Sequence, residues 1–408
     1  MKIAIIGGGA SGIAAALSAA EENPYAHITI LERLDKIGKK ILATGNGHCN
    51  MTNENMCADH YYSENTATAK KLLSEMPVEK VLSFFENIGL YTMTDDAGRI
   101  YPYCRQASMV LDILLLALKR KNINIVCGFK AEDIEFSKNK FAIKSQTGDI
   151  FRADKVIISA GGKAAPKQGT DGSGYRLAKK MGHTYTYIFP SLVAMECDSK
   201  VFKGFKGIRV MGGLSLFING KKAGYDYGEI QLTDYGVSGI PAMQLSCLLK
   251  KHAIEKQAQI GIDFFPEKTA EELKKIITSR IKKYPDETLE NLFLGLLHKN
   301  IMYAVLKQAD TFPLSRKAQS LTPKETEKII SLLKMWKFNV KGTTGWDFAQ
   351  VTGGGIPLDE IDENFQSKII PNLYFTGEIL DVTGQCGGYN LHWAWCSGMK
   401  AGKNAAKE

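Results

Sequence analysis

The sequence predicts an α/β protein: a Rossmann-like dinucleotide-binding domain with a β-meander, built from both chain ends, plus an inserted β-rich domain and a small helical domain. Three observations carry this. A strand, a glycine turn, a helix and a second strand open the chain; a meander in the middle ends in a wholly apolar strand; a second strand, glycine turn and helix close it.

Lys2 to Ile6 (KIAII) is a short apolar run that stops at Gly7. Ile13, Ala16, Leu17 and Ala20 then share one helical face before Pro24 ends the helix. His27 to Glu32 (HITILE) alternates with β-branched residues and completes a βαβ unit, so its sheet is parallel. Residues 66–88 and 107–122 carry helical periodicity, and 123–129 (INIVCGF) reads as a strand. From 133 to 160 the segments EDIEF, FAIKSQ and DIFRADKVIISA form an antiparallel meander of three strands, its final part, Val156 to Ser159, apolar throughout and buried on both faces. Residues 1–193 are thus the first part of the nucleotide-binding domain.

Residues 194–342 leave the βα alternation. This inserted region reads as β-rich over about 194–250 and 336–342 and helical over about 251–335. Asn219-Gly220 lies between two β-like runs and marks a hairpin. Thr269 with Glu272, and Thr322 with Glu325, are capping boxes at helix starts, the second reinforced by Pro323. Residues 343–408 return to the nucleotide-binding domain through Gly353-Gly354-Gly355, the strand NLYFTG (372–377) and GQCGGYNL (384–391), which leads into a helix of small residues.

Composition narrows the class. At 408 residues and 44% apolar content the chain buries a sizeable core over two or three domains. A net charge of +9 arises from dispersed pairs such as Lys39-Lys40 and Lys221-Lys222 and from no long basic run, which makes nucleic acid an unlikely partner. No apolar stretch is long enough to span a membrane, and the apolar start is too short for a signal peptide, so a cytoplasmic protein with no membrane partner is expected. Eight cysteines without Cys-x-x-Cys or zinc spacing suit reduced thiols and no metal site. Trp336, Trp346, Trp393 and Trp395 read as core or interface residues.

The chemistry sits in the glycines. Gly7-x-Gly9-x-x-Gly12 follows a strand, opens a helix and precedes Glu32 by twenty residues. Gly7 permits the tight turn, Gly9 leaves room for a diphosphate and Gly12 lets helix and sheet approach. The first-turn N–H groups around Ala10 and Ser11 attract phosphate, and Glu32 can accept from ribose hydroxyls. The motif alone does not separate FAD from NAD. Three features favour FAD: the loop ILATGNGHCNMTN (41–53), with Gly45, Asn46, Gly47, Cys49 and Asn50, suited to a second phosphate and an isoalloxazine edge; the turn Ala160-Gly161-Gly162 after the apolar strand; and the C-terminal Gly377, Glu378 and Asp381, whose carboxylates suit ribityl hydroxyls. There the helix opened by Gly387, Gly388, Tyr389, Asn390 and Leu391 would bring its N-terminus to the flavin pyrimidine. Arg33, Lys40 and Ala131 complete the cofactor-binding set.

The stretches IAIIGGGASGIAAA (3–16), GKKILATGNGHCNMTN (38–53), GRIYPYCRQASMVLDIL (98–114), GTDGSGY (169–175), TDYGVSGIPAMQLS (233–246) and LYFTGEILDVTGQCGGYNLHWAWCSG (373–398) resemble the bacterial HI0933-like, or aminoacetone-oxidase-like, FAD-dependent oxidoreductases, a family that includes bile-acid reductases. The resemblance covers essentially the whole chain. It implies a glutathione-reductase-like FAD domain from both ends, with a β-rich and a small helical domain inserted. His48, Cys386 and His392 depart from the family pattern, which has arginine, threonine and glutamine there.

The leading expectation is therefore an FAD-dependent oxidoreductase passing hydride through the flavin to or from a small or sterol-like organic substrate held between the FAD domain and the insert. No second Gly-x-Gly-x-x-Gly has a βαβ context, so NAD(P)H enters as a transient co-substrate or not at all. The alternatives are an FAD-containing RNA-modification or nucleic-acid-associated protein, and a flavin-binding protein without turnover. His48 and His392 are acid–base candidates and Cys386, with Cys49, a redox candidate; none identifies itself as catalytic from sequence.

Overall fold

The computed structural model describes residues 1–250 and 257–407. Met1–Ser191 and Trp346–Glu408 form one compact unit, and Leu192–Gly345 a second.

The first unit is built on a five-stranded parallel sheet of β1 (Lys2–Ile6), β2 (His27–Glu32), β3 (Asn124–Cys127), β4 (Lys155–Ile158) and β5 (Leu373–Phe375), in the order β5-β4-β1-β2-β3. Ile3, Ala4 and Ile5 are fully buried because β1 is central and covered on both faces. One cover is α1 (Ala10–Glu22); the last helix, α4 (Tyr389–Ala406), lies against it. Between them come α2 (Lys39–Ala43) and α3 (Ala107–Arg120), which pack on each other. The α1–α4 contact is made of small residues. A Cβ added at Gly398 or Gly402 of α4 would collide with the α1 backbone carbonyls of Ser11 or Ala15.

The local readings differ from the structure in three places. The periodic stretch 66–88 is two helices, Thr66–Ser74 and Val78–Ile88, broken at Pro77, which lacks the N–H a continuous helix needs. The meander comprises Ala131–Ser137, Lys140–Ser145 and Ile150–Ala153, while the apolar run after it is β4 of the parallel sheet. Asp154, between the two sheets, accepts the Lys2 N–H at 2.7 Å and anchors that change of sheet at the start of β1.

Within the second unit Met195–Cys197, Gly236–Ser238, Lys221–Leu232, Arg209–Ile218, Ala258–Asp263 and Trp336–Thr343 pair in that order into a closed barrel. Leu214, Leu216, Ile230, Ile260 and Phe338 fill its core. The Asn219-Gly220 turn has both residues left-handed, as a two-residue hairpin requires. Ala258–Asp263 corrects the helical reading of its stretch: alternating Ala258, Ile260 and Ile262 are buried in a strand. Residues 251–256, where that helical stretch was expected to begin, lie outside the described residues. The helices Ala270–Lys283 and Pro323–Met335 start on complete capping boxes.

Replacing Gly402 by alanine should destabilise the first unit by about 1–3 kcal/mol, the usual cost of overpacking. Urea unfolding followed by fluorescence of Trp393 and Trp395, both on α4, should show the midpoint fall; an unchanged midpoint would mean the helices separate without cost.

Candidate active site

The glycine turn between β1 and α1 is fixed by close approaches. Gly7 has φ +109 and an added Cβ would strike the Ser159 carbonyl; at Gly12 it would strike Gly7 itself. At Gly9, by contrast, nothing lies within 4 Å. The first helical bond runs from the Ile13 N–H to the Gly9 carbonyl at 3.0 Å, so the N–H groups of Ala10, Ser11 and Gly12 have no acceptor within the helix. Open space in front of bare donors at the positive end of a helix is what a diphosphate fits. Glu32 is buried, its oxygens accepting the Gly8 and Leu34 N–H groups at 2.8 Å each. A carboxylate has about four acceptor positions, which leaves two for a ribose diol. Arg33 pairs with Asp171 at 2.7 Å, and its buried Nε has no partner. Ala131 is buried where the chain leaves β3 for the meander, beside the end of β2 through the Phe129 N–H to Glu32 carbonyl bond of 2.9 Å.

The loop after α2 is unusually left-handed. Gly45, Asn46, Gly47 and Cys49 all have φ between 54 and 85, a conformation that costs a non-glycine residue energy and concentrates at binding sites. Residues 45–48 are exposed, while the Asn50 Oδ1 is buried and unpartnered. The C-terminal segment folds onto this loop. Asn53 Nδ2 donates to the Gly387 carbonyl at 2.9 Å, Trp395 Nε1 donates to the Met51 carbonyl at 3.2 Å, and a Cβ added at Gly388, which has φ +99, would strike the Thr52 carbonyl and Asn50 Oδ1. Gly377 reaches the other loop: an added Cβ there would lie 2.5 Å from Ser11 Oγ. Groups from the first sixty residues and the last forty or so thus meet within this unit, with Gly161 and Gly162 against Thr170 and Thr352 and Ala160 against Gly174.

Several residues have structural work that sequence reading did not show. Glu378 accepts from Lys40 Nζ at Oε2 (2.7 Å) and from the Thr352 N–H at Oε1 (2.8 Å), and Thr352 Oγ1 accepts the Lys163 and Ala164 N–H groups. It ties three loops together instead of presenting an open carboxylate to a ribityl chain. Asp381 is buried, with Oδ2 accepting the Glu64 N–H at 2.8 Å. The Asn390 amide pairs with both backbone groups of Gly384 and so shapes the turn that opens α4; Tyr389 is buried beside His60 and Tyr61, and Leu391 is half-buried against the core. Thr352 was visible only as the neighbour of three glycines.

Comparison with known proteins decides the family. The model of the HI0933-like protein Rossmann domain matches residues 1–404. The chain belongs to that family. It is 39% identical to the 3-dehydro-bile acid delta(4,6)-reductase of Clostridium scindens, over 100% of this chain and 99% of the relative. It is 26% identical to the ribosomal RNA dihydrouridine synthase of Haemophilus influenzae, over 96% of this chain and 95% of that protein. Among solved structures, the 3-ketosteroid-delta4-(5alpha)-dehydrogenase of Rhodococcus jostii RHA1 matches in fold with a TM-score of 0.52 at 16% identity, covering 100% of this chain and 97% of that one.

In this HI0933-like chain the three family-departing positions behave differently. His48 is exposed, its Nδ1 donating to the Arg105 carbonyl at 2.7 Å. Cys386 is half-buried in the turn before α4. His392 is a correction to the acid–base candidates. It is fully buried, Nε2 donates to the Met76 carbonyl at 2.9 Å and Nδ1 accepts from the Thr52 hydroxyl at 2.8 Å, which leaves no nitrogen for a substrate. Cys49 leaves the redox set as well, since burial pushes its thiol up to about 11 and keeps it protonated.

Burial depresses His392 from 6.5 to about 4. The unfolded chain therefore binds a proton the folded one refuses, and the stability the neutral ring contributes is complete above about 6.5 and lost as pH falls through about 4. His392→Gln should flatten the fall in stability over that window, where the parent loses up to about 1.4 kcal/mol per pH unit from this group. Urea midpoints of parent and variant at several pH values give the difference, and parallel curves would contradict it.

Proposed function

We propose that the chain is an FAD-dependent oxidoreductase that saturates a carbon–carbon double bond conjugated to a carbonyl, with a steroid-like acid as substrate. The reading rests on one observation above the rest: the match to the 3-dehydro-bile acid delta(4,6)-reductase, at 39% identity, covers 100% of this chain and 99% of that protein. The groove supports the cofactor, with Gly9 open before a helix N-terminus and Glu32 held with acceptor capacity to spare. Bound FAD, once reduced, supplies a hydride to such a double bond.

The chain's residues do the remainder. The turn Gly7 to Gly12 and the first turn of α1 receive the diphosphate, and Glu32 receives the adenosine ribose, with Arg33 and Ala131 at the adenosine end. Gly45, Asn46, Gly47 and Asn50, with Gly387 and the start of α4, would hold the isoalloxazine. Asp381 would hold the ribityl chain, and Lys40 and Glu378 tie the loops together. A reduced nicotinamide serves as a visiting donor.

A second reading is favoured by the ribosomal RNA dihydrouridine synthase of Haemophilus influenzae, similar over 96% of this chain. The two readings share a chemistry: the C5=C6 bond of uracil is also conjugated to a carbonyl. They differ in what carries that bond to the flavin.

The purified protein should be yellow and release FAD on denaturation. After anaerobic reduction with NADH or NADPH, a 3-oxo-4,6-diene bile acid should reoxidise it faster than ribosomal RNA lacking dihydrouridine does; the reverse order would favour the RNA reading, and FMN alone or no flavin would sink both. Glu32→Ala should weaken FAD binding by about 1–3 kcal/mol, the scale of lost bonds to a charged acceptor, read by titrating the apoprotein with FAD.

A further inference from the structure

One cluster in the first unit is used by nothing described so far. The strand Arg99–Pro102 runs beside Thr52 and Asn53, and its Tyr101 ring lies 3.7 Å from where a Cβ of Gly45 would stand. Beyond it Arg105 is left-handed at φ 51, its guanidinium over the Tyr101 ring at 5.6 Å. The neighbouring cation, Arg99, is committed to Asp95 at 2.8 Å. Arg105 has no carboxylate partner among the described residues and is exposed. Its backbone carbonyl accepts from His48 Nδ1 at 2.7 Å, which fixes the imidazole and leaves Nε2 as the nitrogen available to a ligand. Left-handed, non-glycine backbone thus occurs at the exposed Asn46 and Arg105 and at the buried Cys49, and the Asn50 Oδ1 next to Cys49 in the chain is buried and unpartnered.

Reducing a double bond conjugated to a carbonyl calls for a group that stabilises charge on the carbonyl oxygen and a group that delivers a proton, and an exposed guanidinium beside a fixed imidazole can fill these two roles. We propose that Arg105, held over Tyr101, binds the substrate carbonyl oxygen and that His48 Nε2 delivers the proton to the carbon next to that carbonyl. This rests on the function proposed above. Bound, reduced FAD would supply the hydride at the far carbon, and as the π pair of the double bond shifts toward the carbonyl oxygen the guanidinium stabilises the charge there. The proton carried on His48 Nε2 then bonds to the near carbon, the carbonyl is restored, and C=C has become CH–CH at the expense of two flavin electrons. Solvent returns the proton to His48.

Arg105→Ala and His48→Ala should take up FAD with parental affinity and be reduced by the nicotinamide donor at the parental rate. Reoxidation by the enone, followed anaerobically by flavin absorbance, should slow about 100-fold or more, the range of lost acid catalysis. Added guanidinium should restore part of the rate to the first variant and imidazole to the second, which a structural role for either residue would not allow. Binding of a saturated ketone, read from the flavin difference spectrum, should weaken in Arg105→Ala. His48→Asn keeps a donor for the Arg105 carbonyl and should be as slow as His48→Ala if the proton is what matters. Parental reoxidation in FAD-replete variants would overturn this proposal and leave the function standing, whereas a parent protein without FAD would overturn both.

Discussion

The structure depends on the bare backbone contact between the first helix and the last. Gly398 and Gly402 of α4 let that helix lie against the carbonyls of Ser11 and Ala15 with no side chain between. Dispersion falls steeply with separation, so a contact at backbone distance is strong only while both glycines remain. Because α4 is held there, the turn at Gly377 arrives at Ser11, where its N–H is fixed by Ser397 Oγ at 2.9 Å, and the turn at Gly387 and Gly388 arrives at Thr52. Moving α4 outward would displace both glycine turns at once.

The polar groups of the groove obey the same constraint. Glu378 has only one open end to its network, Lys40, and every other partner is a backbone N–H. Such an arrangement holds loops without filling the space in front of them. His392, Thr52 and the Met76 carbonyl form a comparable lock on the opposite side of α4. Buried polar networks of this kind favour one geometry because any shift leaves a donor unpaired in a dry interior.

Features set by neighbours in sequence were legible, and features set by closure were not. Gly7, Gly9 and Gly12 could be read because each answers a demand made by residues a few positions away, as do the Asn219-Gly220 turn and the capping boxes at Thr269 and Thr322. The closed barrel could not be read: Met195–Cys197 and Gly236–Ser238 are too short to show alternation, and closure depends on Trp336–Thr343 returning from far along the chain. The site divides in the same way. Glu32 and the loop at Gly45 stood out by spacing and composition, whereas the engagement of Glu378, Asn390 and His392 is decided by partners distant in sequence, and Arg105 carried no local mark except a left-handed backbone that the sequence does not display. Glycine signals where a chain bends; it does not say which carboxylate is already taken.

The union of the two chain ends also orders the birth of the protein. At roughly 5–20 residues per second of synthesis, α4 leaves the ribosome on the order of 20 to 70 s after α1. For that interval the alanine face of α1, with Ala14 and Ala15 at its centre, has no partner to cover it, although β1 and β2 can already pair. The residues of the second unit are all made in the meantime, and their barrel closes among themselves. The flank of α1 is therefore closed only once α4 has been made, and a nascent chain that stalls anywhere before Gly398 carries a nucleotide turn with an open flank.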